Sequence, residues 1–201
     1  MRLGECFKSA LHSFKSYAGV LVLTSLILSV TELMLSLLLV LALKEVGVVL
    51  SYALTGVFWA CYLAMARGAV REQMPRIATA ISPIVRQPLS YLLVGLAIYS
   101  GLMGFGIGVF VTATLFMFAP LGVLDGSNPW QALSRSKDVV LAHPGEAILL
   151  CLFLTALNFV GMLALFVGWL VTMPLSALLI VQAYELASSE PLNRQLRGCH
   201  A

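Results

Sequence analysis

Residues 17–66, 88–124 and 147–183 are almost unbroken apolar blocks, and their length is the strongest constraint on the fold. A helix rises 1.5 Å per residue, so a hydrocarbon core of roughly 30 Å is crossed by about 20 residues. Each block is too long for one crossing and about right for two. Lipid offers no water to an exposed N–H or C=O, so the backbone must satisfy itself by coiling. The blocks therefore predict three helical hairpins, about six transmembrane helices in all. The expected fold class is all-α and polytopic, with each hairpin preceded by an interfacial amphipathic helix. One integral membrane domain covers residues 1–187, with hairpins at about 17–66, 88–124 and 146–187, and residues 188–201 form a disordered cytoplasmic tail.

Composition excludes a soluble alternative. With 60% hydrophobic and 10% charged residues and a mean hydropathy of +0.98, almost nothing is left to solvate an outer surface. The twelve basic residues can be placed individually. Arg2, Lys8 and Lys15 precede the first block, and Arg67, Arg71, Arg76 and Arg86 lie between the first and second. Arg135 and Lys137 lie between the second and third, and Arg194 and Arg197 follow the last. Only Lys44 falls at a hairpin tip. With both termini and both long connections on one side, all the others share that side, which the positive-inside rule makes the cytoplasm. The net charge of +3 then reflects attraction to an anionic inner leaflet, not a nucleic-acid footprint.

Cys6 and Cys199 fall on the cytoplasmic side and Cys61 and Cys151 within helices, so none is placed for a disulfide in an oxidising compartment. The stretch before Ala18 is long and amphipathic, and the apolar run after it exceeds a signal-peptide core, so a retained first helix is expected. Leu3, Phe7, Leu11 and Phe14 share one helical face with Lys8, His12 and Lys15 beside or opposite it. Such a helix lies in the membrane interface, with Phe7 and Phe14 as anchors, before the chain turns inward at Tyr17.

Pro75, Ile77, Ile81 and Val85 repeat the device before Pro88. The third connection opens with Asp125 in a turn, Asn128 as N-cap, Pro129 in the first helical position and Gln131 as the reciprocal capping-box member. Trp130 is then an anchor at headgroup depth, and Trp130, Leu133 and Val140 form the helix's apolar face. Three repetitions of amphipathic helix plus hairpin suggest an internal repeat; the simpler account is that any multi-pass chain needs interfacial connectors.

The hairpin tips fall at 44–47, 101–108 and 161–168. The last two carry no charge, which leaves open re-entrant hairpins that do not cross fully.

Glu32 sits near the middle of a crossing, where a charged acid costs about 2.5–3.5 kcal/mol on insertion scales and so faces a bundle interior or a wet cavity. It is a candidate ion or substrate ligand, or a helix-bridging hydrogen-bonding group, unless the block bends near Thr31. Asn158 is its counterpart in the fifth crossing, where hydrogen bonding between helices is the default. If the two met, they would form an intramembrane polar or ion site.

The glycines at 104, 106 and 108 lack the preceding strand and following acid of a dinucleotide fingerprint. Asp125, Asp138, His143 and Glu146 lack metal-ligand or paired-acid spacing. No catalytic residue, metal or cofactor is expected. Pro120 and Pro174 lie inside crossings as kink positions.

The last eighty or so residues carry a resemblance. The run Pro120, Leu121, Gly122, Val123, Leu124, Asp125, Gly126, Ser127, Asn128, Pro129, Trp130, Gln131, Ala132, Leu133, Ser134, Arg135, Ser136 is one half of it. The other is Gly168, Trp169, Leu170, Val171, Thr172, Met173, Pro174, followed by Tyr184. Together they resemble the bacterial membrane-domain family associated with glycerophosphodiester phosphodiesterases and the related YciC-like inner-membrane proteins. The resemblance implies a polytopic bundle in a bacterial inner membrane, with a polar, Pro-containing connection before its final hairpin. Some members are fused to a soluble phosphodiesterase domain that performs the chemistry. No such domain is read in these residues, so that activity is not expected to carry over.

The expected function is a non-enzymatic membrane scaffold or accessory module that acts through lipid, a membrane protein partner or a second copy. The alternative is a small transporter or channel lined by Glu32 and Asn158. Reporter tags at the two ends should both be shielded in intact cells and both become accessible once the inner membrane is permeabilised. Opposite faces would end the hairpin reading.

Overall fold

The computed structural model describes residues 3–71, 73, 78, 81–82, 85, 87–100, 107–163 and 167–198, and among them every regular element is a helix. In chain order these are α1 (Leu3–Val70), α2 (Pro88–Tyr99), α3 (Ile107–Phe116), α4 (Ala119–Leu124), α5 (Pro129–Ala142), α6 (Pro144–Leu163) and α7 (Val167–Gly198). Among the described residues, three stretches are long and apolar enough to cross a membrane: Cys6–Val70, Pro144–Leu163 and Gly168–Ser188.

The first of these is not one rod. Its backbone leaves helical geometry at Tyr17 (φ −121°, ψ 15°) and at Lys44 (φ 50°, ψ −119°). Tyr17 separates the amphipathic segment from the apolar legs, where the sequence places the inward turn. At Lys44 the chain reverses. Gly47 comes so close to the Leu39 carbonyl that a Cβ there would collide with it. Further along, the Tyr62 hydroxyl donates to the Ser25 carbonyl (3.2 Å) and accepts from Ser29 (2.8 Å). Residues 18–43 and 45–70 are therefore antiparallel legs, each about 39 Å long at 1.5 Å per residue, and ample for a hydrocarbon core. The helix keeps helical dihedrals through Thr31, whose hydroxyl is bonded back to the Ile27 carbonyl at 2.7 Å, so Glu32 lies near the middle of the first leg.

The second leg of α1 and the middle of α7 form the core. Residues 60–66 and 174–181 are buried in unbroken runs, packed with Leu21, Leu28, Phe118, Leu121 and Leu150. The first leg is clad on one side only: Leu33, Leu38 and Leu41 are 63%, 62% and 72% exposed. A ridge of this kind suits hydrocarbon and not water. Helix α2 crosses the second leg at Gly56 and Gly95, where a Cβ on Gly95 would stand 2.7 Å from the Ala53 carbonyl oxygen. Small residues let two backbones touch this way in membranes. At 12 residues α2 spans about 18 Å, shorter than a full crossing. The Gly-rich tip that follows it lies outside the described residues, as does most of the 72–86 connection.

Between α3 and α4 the helix breaks at Met117 and Phe118, just ahead of Pro120, which opens α4 in place of kinking a continuous helix. The buried Ser136 hydroxyl on α5 bridges the gap: it accepts from the Phe118 N–H (3.2 Å) and donates to the Leu115 carbonyl (2.7 Å). Helix α5 turns Ala132, Leu133, Ser136 and Val140 inward, while Trp130 is 75% exposed and leaves the apolar face expected for it.

Asn128 is at the N-cap with Pro129 beyond it, but its side chain makes no capping bond and Gln131 is exposed, so no capping box forms. The Asn128 carbonyl accepts from Ala132 N–H instead (2.9 Å). At the N-terminal segment the deepest residues are Cys6 and Ala10. Phe7 and Phe14 are partly buried and pack against the core, with Phe7 edge-on to Phe153 at 5.7 Å. Pro174 stays inside α7, which continues to Gly198 through the stretch expected to be a disordered tail.

Lys44 has the dihedrals of the first central residue of a type II′ turn, where glycine is the usual occupant. Lys44→Gly should therefore raise the melting midpoint in detergent, relieving roughly 1 kcal/mol of backbone strain. Gly56→Val should lower it, since overpacking costs about 1–3 kcal/mol.

Candidate functional site

Two places in the bundle gather polar groups. The first lies inside it. Glu32, on the first leg of α1, opens onto a cavity of about 520 Å³ walled by Trp59, Tyr62, Tyr99 and Trp169. The reversal at Lys44 sets Thr55 opposite Glu32. Thr55 lines the same cavity as Glu32 and Tyr99, its hydroxyl donating to the Ser51 carbonyl at 3.1 Å. Tyr99 in turn stacks on Tyr52, ring centroids 5.2 Å apart.

Asn158 lines a second cavity of about 440 Å³. Helices α6 and α7 run antiparallel here, and Gly161 lets them close onto Thr172. The Asn158 amide donates to the Leu154 carbonyl and to the Ser176 hydroxyl, both at 2.9 Å. Its Oδ1 is buried without a hydrogen-bond partner. Leaving an acceptor so costs about 1–3 kcal/mol, which a donor from water or a ligand would recover.

The two cavities adjoin through Thr55, Trp59, Tyr99, Trp169 and Met173. Glu32 and Asn158 thus face adjoining spaces within the apolar layer, though no direct bond joins them. An aromatic wall with two acceptors suits a ligand that has an apolar body and a hydrogen-bond-donating or cationic head.

The second place is the basic end of the bundle, where α1, the turn after α4, and α7 meet. Arg67 donates to Asp125 Oδ1 (2.5 Å), and the Tyr184 hydroxyl donates to Asp125 Oδ2 (2.6 Å). Glu185 Oε1 accepts from Arg71 Nε at 3.1 Å and lies 3.9 Å from Arg67 Nε. Three segments distant in sequence are tied by one charge-assisted network. Asp125, expected only to make a turn, is its centre. Arg67 and Asp125 are 16% and 26% exposed, shielded enough for the pairing to count; Arg71 is 52% exposed.

The sequence reading missed this network and the aromatic wall. Arg67 had one signal, since it ends the uncharged buried run 60–66; Tyr184 and Glu185 had none from spacing. Among the described residues no group of three or more His, Cys, Asp or Glu is placed to hold a metal ion. No family model, curated protein or solved structure matches the chain, so the resemblance in its last eighty residues rests on the residues quoted for it.

In detergent, Arg67→Gln and Asp125→Asn should each destabilise the fold by about 1–3 kcal/mol. The double variant should lose about 1 kcal/mol less than the sum of the two. Strict additivity in a denaturation series would mean that the pair is not coupled.

Proposed function

We propose that this chain is a six-crossing module of a bacterial cytoplasmic membrane, both ends cytoplasmic, that holds a lipid or lipid-like ligand and does no bond chemistry. The observation that carries it is the pair of adjoining cavities at membrane depth, with an unpartnered Asn158 acceptor in one and Glu32 in the other. The half-clad leucine ridge of α1 supports the same reading, because it leaves a broad surface for lipid, a partner or a second copy.

Six crossings require the 88–124 block to form a hairpin. The Thr112 hydroxyl, which donates to the Ile98 carbonyl across it at 2.6 Å, supports this. The basic connections and the exposed Trp130 suit an anionic inner leaflet. The resemblance to the phosphodiesterase-associated membrane domains and YciC-like proteins agrees with such a module.

A second reading, a small transporter, draws on the adjacency of the two cavities, which would make Glu32 and Asn158 successive stations for a cationic or donor-bearing solute. Reconstitution separates them. The module reading expects no flux above empty vesicles for cations or amphiphilic amines, together with co-purifying lipid that Asn158→Leu depletes. A flux abolished by Glu32→Gln would establish transport in its place. Protein that carries no lipid and passes no solute would remove both.

A further inference from the structure

The arginines of the basic end stand between two cavities of opposite character. On one side, a space of about 370 Å³ holds the carboxylates that pair with them, Asp125 and Glu185. On the other, a space of about 330 Å³ is lined by the same Arg67 and Arg71, now with Gln73, Ser82 and Gln87. No carboxylate appears among the described residues lining it. Below these groups the wall turns apolar, with Ala64, Val123 and Leu124. The chain is folded to make this pocket: after α1 ends, the Gln73 N–H returns to the Gly68 carbonyl at 2.9 Å, bringing Gln73 beside the arginines.

A guanidinium carries five N–H donors, and the ion-pair hydrogen bonds above use one on Arg67 and one on Arg71. Amide and hydroxyl groups complete a donor-rich rim, whose two guanidiniums are each paired with one carboxylate outside the pocket. Two forked cations with neutral donors suit a tetrahedral oxyanion better than a lone carboxylate, because they can bond several oxygens together.

We propose that this pocket binds a phosphate group, carried either by the headgroup of an anionic lipid or by a small phosphate ester. Phosphate binding stands on the pocket alone; the lipid source rests on the membrane placement proposed above. A polar rim over an apolar wall matches a lipid phosphate whose glycerol and chains descend beside Leu124.

The test uses the full chain in neutral maltoside detergent with two probes, inorganic phosphate by titration calorimetry and phosphatidylglycerol by native mass spectrometry. Arg71→Gln removes a donor, and Gln73→Glu adds a repelling charge while leaving the Arg67–Asp125–Tyr184 network in place. Each should weaken binding about tenfold, as the loss of one hydrogen bond to a charged group does. Lys137→Gln, outside the pocket, should change nothing.

Pocket-sensitive binding of phosphatidylglycerol alone identifies a lipid site, and pocket-sensitive binding of inorganic phosphate identifies a soluble ester as sufficient. The proposal falls if neither probe binds, or if Lys137→Gln weakens binding as much as both pocket variants do. Such a failure leaves the membrane reading standing, since that is judged by tag accessibility and reconstitution.

Discussion

A peptide group in hydrocarbon has no solvent to fall back on, and each feature of this bundle answers that requirement. The legs of α1 bond internally along their length, so outside help is needed at the breaks. At Met117 and Phe118 a serine from a different helix supplies both a donor and an acceptor. Along the helices, Thr31, Thr55, Thr114 and Thr155 hydroxyls turn back onto carbonyls one turn earlier, which removes their own polarity from the apolar layer. The Asn158 oxygen is left outside this arrangement, and it is the acceptor that the proposed ligand would meet.

Charge obeys the same rule at a different depth. Arg67 and Asp125 lie where the bundle meets its basic end; Asp125 accepts from both Arg67 and Tyr184, while Arg67 Nε is buried without a hydrogen-bond partner. Breaking one member would strand the rest in a poorly solvated corner, which is why such networks are costly to dismantle even when they add little net stability. The network also sorts charge in space, keeping the acids to one side of the guanidiniums.

Much of the architecture was legible because length and hydropathy are local properties. Tyr17 as an entry point, His143 as a helix end, and antiparallel legs in the first block all followed from runs and breaks in the sequence. The reversal itself sits at Lys44, not at the glycine three residues on, because Gly47 serves close packing against Leu39. Asn128 shows the limit of motif reading: its position is right for a cap, yet the bond is made by its backbone.

The sites were less visible. Glu32 and Asn158 stood out as polar residues in greasy runs, but Thr55, Tyr99 and Trp169 join them only through helix rotation and crossing. Arg67, Asp125 and Tyr184 are likewise brought together by tertiary packing, which no spacing in one helix encodes.

The contact of Gly56 with Gly95 has a mechanical consequence. With no side chain between the backbones, α2 cannot be pressed closer to α1 there. Tyr99 and Ile98 line the Asn158 cavity beyond it toward one end, and Tyr91 and Gln87 line the arginine pocket toward the other. The contact therefore holds one fixed helix spacing between the two spaces.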